Sequence, residues 1–227
     1  MQQQPAKTMR RPLVFLVGAA LAAALVVLVV VGTPPKKAEA VSEYRIVTKT
    51  FRNINVITIP PNPDAPDDAF TLANPYPSKI IVAGLDRARI KDVNVRLKGF
   101  VHSWPDDMDV LLVGPTGKNA IIMSDAGNNN DVSRATNLTI DDEAPMFFPD
   151  EGQIVGTSYK PSNYEVGTDD NFPGVTFSGN RLLSTFDGTK PNGRWKLFVS
   201  DDVAPTDVGW FFDGWSLNIE ANVRTRR

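Results

Sequence analysis

Between Lys91 and Gly99 the chain reads KDVNVRLKG, in which Val93, Val95 and Leu97 alternate with Asn94, Arg96 and Lys98. A two-residue period sends one set of side chains to a buried face and the other to water, which argues a half-buried strand. The same period returns in WSLNIE, where Trp215, Leu217 and Ile219 face away from Ser216, Asn218 and Glu220. RWKLFVSDD places Trp195, Leu197 and Val199 on one face, and SKIIVAG and EYRIVTK add two further candidates. MDVLLVGP and NAIIMSD are short apolar runs bounded by turn residues, the pattern of central strands buried on both sides. No stretch after residue 41 sustains a 3.6-residue period, and turns such as GPTGKN, KPNGR and PPNPDAPDD separate the runs. Many short strands with frequent turns predict an all-β fold, an antiparallel sandwich of the jelly-roll sort.

The N-terminus obeys other rules. A basic stretch ends at Arg10-Arg11, an uncharged apolar run follows from Pro12 to Gly32, and Ala38-Glu39-Ala40 forms an A-x-A cleavage candidate. A run of about 20 residues reaches across a bilayer. Residues 1–40 therefore read as a signal peptide or an N-terminal membrane anchor. Either way the body is expected outside the cytoplasm, secreted or held to the membrane by residues 12–32. Residues 41–73 read as an N-terminal strand pair with a Pro-rich linker, 74–222 as the main β domain, and 223–227 as a basic tail. Residues 141–180 are long and without clear periodicity, but Phe147, Phe148, Tyr159, Tyr164, Phe172 and Phe177 are expected to hold them against the body.

Charge and composition remove several function classes. The net charge of −2 averages a leader of +4, residues 1–40, and a body of −6. An acidic body argues against a nucleic-acid partner, whose affinity comes from Lys and Arg on phosphates. With no cysteine there is no thiol chemistry, Cys-ligated zinc or iron–sulfur cluster. Of the 26 acidic residues, 20 are Asp, which favours turns and caps and is also common in loop-built calcium sites.

Two blocks carry a family resemblance. The first, GFVHSWPDDMDVLLVGPTGKNAIIMSD, contains His102-Ser103-Trp104, then Asp107, then Pro115-Thr116-Gly117. The second runs KPNGRWKLFVSDD, with Pro191, Gly193, Trp195, Leu197, Val199 and Asp201, and on to Gly209, Trp215 and Leu217. Together they resemble the P domain (Homo B domain) of subtilisin-like proprotein convertases over residues 75–221. The family's Trp-Gly-Glu is Asp187-Gly188-Thr189 here, and residues 141–180 exceed the convertase pattern. The chain is thus more similar to stand-alone secreted bacterial versions of the module. The resemblance implies a β jelly roll and a structural His102 at a strand end. It also implies association with a subtilisin-like peptidase on another chain, since no protease precedes the module here.

The chemistry is sparse beside this. His102 is the only histidine, so a serine-protease triad has one possible base, and no Gly-x-Ser-x-Gly elbow accompanies it. One imidazole is also too few for a histidine-rich zinc site. GPTGK lacks P-loop spacing and a following helix. Asp107 and Asp109, about 7 Å apart along a strand start, are permissively spaced for glycoside hydrolysis but lie in no evident cleft. Two readings of the Asp-rich turns stay open: solvated turns capping backbone N–H groups, or a calcium site. The calcium site would gather Asp106, Asp107 and Asp109 with Asp201, Asp202 and Asp207, if the two loops share one end of the sandwich as the resemblance implies. Asp125 and the AGNNND loop offer further oxygens. These features predict a non-catalytic extracellular binding or structural module. The alternatives are an accessory to a subtilisin-like endopeptidase, or a carbohydrate-binding sandwich using Trp104, Trp210 and Phe211. The expected partner is that peptidase or another cell-surface protein.

Overall fold

A computed structural model describes residues 43–61, 70–164, 170, 172–203 and 208–225. Residues 1–42, with the apolar run 12–32 expected to be a signal or anchor, residues 62–69 of the expected linker, Asp207 and the last two residues lie outside the described residues. Among those described, no helix is long and apolar enough to cross a membrane.

The strands are β1 (Tyr44–Asn53), β2 (Ile57–Ile59), β3 (Thr71–Leu72), β4 (Ser78–Val82), β5 (Ala88–His102), β6 (Met108–Val113) and β7 (Asn119–Ser124). They continue with β8 (Val132–Ile140), β9 (Ser158–Tyr159), β10 (Ser162–Asn163), β11 (Gly193–Asp201), β12 (Gly209–Phe211) and β13 (Trp215–Arg224). Single 3-10 turns span Pro105–Asp107 and Leu183–Phe186. The fold is all-β, in two sheets. The first runs β1-β13-β5-β12-β2, with β8 on the far edge of β5 and β9 beside β8. The second runs β10-β7-β6-β11-β3, with β4 also on β11.

The expected antiparallel pairing fails at two places: β9 runs parallel to β8 and β10 parallel to β7. Both short strands come from the 141–180 segment, which returns along the sheets instead of hairpinning against them. Each sheet is therefore mixed.

The alternating strands bury one common core. Val93, Val95 and Leu97 of β5 and Leu217 and Ile219 of β13 join Val110 and Leu112 of β6 and Trp195 and Leu197 of β11 in one cluster. Each such side chain contributes about 1.5–3 kcal/mol when fully buried. The indoles at its edges are satisfied: Trp195 Nε1 donates to Pro191 O and Trp215 Nε1 to Ser78 Oγ.

Strands β6 and β7 are buried throughout, and the register explains why. Val110 and Leu112 point to the common core, while Leu111, Val113 and Ile121 enter a second cluster with Phe172 and Phe198. Val175, Phe177 and Tyr76 close it from outside. Tyr76 packs edge-on to Phe198 at 5.1 Å, and burial pushes its phenol up to about 12. Phe148 and Tyr159 stack at 4.4 Å within the main core. Thus much of the segment's aromatic content lies against the body. Phe147, under the Lys160 ammonium, and Tyr164 are the exceptions, both exposed.

Candidate functional site

The HSWPDDMD turn and the end of β11 meet at one rim. Strands β6 and β11 pair with Ser200 opposite Asp109 and Asp201 opposite Met108, and Asp202 N donates to Asp107 O at 2.9 Å. Register partners share a face, so Asp109 goes with Ser200 while Asp201 goes with Met108, on the other side of the sheet. One residue of register places Asp109 and Asp201 in two different environments.

Asp201 faces the imidazole. His102 is fully buried, and its Nε2 lies 3.1 Å from Asp201 Oδ2. Trp104 N donates to Nδ1 at 3.1 Å, which places the lone pair on Nδ1 and the ring proton on Nε2, donated to Asp201. Val203 N donates to the other carboxylate oxygen at 3.1 Å. With both ring nitrogens engaged, the imidazole has no lone pair to offer a serine hydroxyl. The packing is close: Gly209 sits opposite His102 in β12, and a Cβ there would stand 2.3 Å from His102 Cδ2.

Asp109 belongs to a different centre. Its Oδ1 is 2.7 Å from Ser124 Oγ, the last residue of β7. Asp125 Oδ2 lies 2.8 Å and Asp170 Oδ1 2.6 Å from the same hydroxyl. Asp125 adopts the left-handed φ of 51°, a conformation Asp tolerates better than most residues, and this turns its carboxylate back on Ser124. Asn163 Nδ2 donates to both oxygens of Asp170 at 3.1 and 2.8 Å; its own Oδ1 is buried with no hydrogen-bond partner. The parallel pairing of β10 with β7, Asn163 against Ser124, brings this amide there.

A serine hydroxyl has one proton. It can donate to one of the three carboxylates; the other two oxygen–oxygen contacts need protons from elsewhere, or a cation. Ser124 and Asp109 are at most 1% exposed and Asp125 5%, so the carboxylates gather where water reaches poorly.

The remaining sequence candidates scatter. Asp106 Oδ1 accepts Asn128 N at 3.3 Å, a turn-capping contact. Asp107 ends the 3-10 turn, and Asp202 follows β11 with its amide on the Asp107 carbonyl. Asp207 is not among the described residues. Among those that are, no three acidic or imidazole groups surround an open point ready for a metal ion. At the Ser124 centre the hydroxyl itself occupies that point. Of the aromatics considered for sugar stacking, Trp104 is exposed, but Phe211 is fully buried against Phe100. Phe212, not Phe211, stacks with Trp210 at the surface. Ser124, Asn163 and Asp170 were missed in the sequence; Asp125 beside AGNNND was the only flag toward them.

The comparisons add nothing to this geometry. No family model, curated protein or solved structure matches the chain. The likeness to the P domain rests on the two motif blocks alone.

Proposed function

We propose that the chain is a non-catalytic, extracytoplasmic binding or structural module, a P-domain-like jelly-roll sandwich with one rim set by calcium. The gathering of Asp109, Asp125 and Asp170 within 2.6–2.8 Å of one hydroxyl oxygen, that of Ser124, carries the calcium part of this reading. A divalent cation would offset the mutual repulsion of three carboxylates gathered around one point. The carboxylates that converge there are hard oxygen donors, which suits calcium and not zinc. Rotation of the Ser124 side chain would clear the centre. The module part rests on the His102–Asp201 pair, which is closed on itself, and on the two motif blocks.

The test is thermal unfolding of the full chain in non-ionic detergent, with millimolar calcium and with EDTA. At free calcium near 100 times Kd, a native-state site adds about 2.7 kcal/mol. For a domain of this size that raises Tm by roughly 5–11 °C. Identical curves would remove calcium from the proposal.

A further inference from the structure

The outward face of the first sheet is a polar groove of about 630 Å³. Its strands align side chains in rungs. Arg52, Ser216, Arg96 and Thr139 form one rung across four strands. Thr50, Asn218 and Asn94 form the next, and Thr48, Glu220 and Asp92 the third. With strands about 4.8 Å apart, the two arginines flank Ser216 at about 10 Å, close enough for both guanidiniums to reach one anion. Lys98 adds a third cation to the lining.

The groove's own groups do not satisfy one another. Among the described residues, the Arg52, Arg96 and Lys98 side chains make no ion pair or hydrogen bond. Asn94 donates to Asp92 at 3.2 Å, but its Oδ1 is buried without a partner. Asn218 Nδ2 donates to Thr50 Oγ1. The third rung is acidic, with Lys91 paired to Glu220, and burial together with the Asp141 carboxylate pushes Asp92 up from its ordinary range. Two rungs, about 13 Å, separate cationic from acidic character.

We infer that this groove binds an acidic saccharide, its carboxylate held between Arg52 and Arg96 and its hydroxyls on the middle and acidic rungs. This takes up the binding-module reading above but shares no residue with the calcium rim. The guanidinium fork matches a carboxylate. A nucleic acid or polyphosphate would carry its next charges onto Asp92 and Glu220; sugar hydroxyls donate to them. Beyond Lys98, whose carbonyl accepts Asp213 N, Trp210 and Phe212 stack at 5.7 Å and offer an apolar face for a ring.

Calorimetric titration of the full chain with trigalacturonate tests this, alongside its methyl ester and pyrophosphate. Binding of the trisaccharide is expected, with the ester weaker by at least about tenfold and no saturable binding of pyrophosphate. The double variant Arg52→Ala, Arg96→Ala should weaken binding about 100-fold. Asn94→Asp, which keeps both arginines, should weaken it about tenfold. Arg52 and Arg96 are exposed and Asn94 is half-buried, and each variant must show the parent's unfolding transition. No binding of trigalacturonate, equal binding of the ester, pyrophosphate binding as tight, or native-like affinity in the folded arginine variant would each overturn the proposal. A null here leaves the calcium melt unaffected, and the reverse holds too.

Discussion

Asp201 and Asp109 sit on paired strands one register step apart, and both are buried, yet they live in opposite chemical conditions. Asp201 receives the His102 ring proton and the Val203 amide, one donor for each oxygen. Asp109 shares one hydroxyl with two other carboxylates. Burial is the same and the neighbours are not: Asp201 faces an imidazole, Asp109 two further carboxylates. What separates a structural carboxylate from a ligand-seeking one is the charge gathered around it, because like charges crowded in low dielectric are costly.

The strongest way to break this comparison is to remove the donor from the satisfied centre. His102→Ala leaves Asp201 buried without its imidazole and should cost about 3–5 kcal/mol, read as a lower urea midpoint at unchanged slope. The loss should be the same with calcium or EDTA. A loss under about 1 kcal/mol would mean Val203 N and the surroundings suffice, and the contrast between the two centres would collapse.

The second perturbation works on the other centre. Asp170→Asn keeps shape but removes one carboxylate, so the calcium-dependent rise of about 2.7 kcal/mol at saturating ion should shrink or vanish. In EDTA the variant should be no less stable than the parent, since one carboxylate fewer competes for the Ser124 proton. A variant that still gains the full increment would place any calcium effect elsewhere. Third, Gly209→Ala drives a methyl into His102 and Ile59 and should cost about 1–3 kcal/mol by overpacking. Paired with His102→Ala in a double-mutant cycle, most of that cost should disappear, because the obstructing ring is gone.

Strands with high contrast were legible in the sequence: β4, β5, β11 and β13 alternate cleanly, and the runs in β6 and β7 read as doubly buried. Strand β8 was not, because Arg134, Ala135, Thr136 and Asn137 lie on an exposed stretch with no apolar partner in alternation. Strands β2, β9, β10 and β12 are two or three residues long, too short for any period to register. The meeting of the 106–109 and 201–202 loops was expected and is seen. That Asp109 and Asp201 face apart depends on register, which neither strand's own residues specify. Asp170 reaches Ser124 only because the aperiodic 141–180 segment returns as a parallel strand, a tertiary fact with no local sign.

The smallest expected effect concerns a third kind of carboxylate, half in water. Burial and the Asp141 charge push Asp92 above its ordinary range; Asp187 is raised for the same reasons, burial first and then Asp92. A raised carboxyl binds its proton more tightly folded than unfolded, so its contribution to stability is present at low pH and lost as pH rises through the raised value. Asp92→Asn should therefore melt above the parent at pH 7 by on the order of 1–2 °C. The gap should close as pH falls below the ordinary carboxylate range, where the parent's Asp92 is protonated in both states. A gap that stays constant from neutral to acid pH would show that Asp92 feels no net repulsion. Water and the Asn94 amide would then do for a half-exposed carboxylate what His102 does for Asp201.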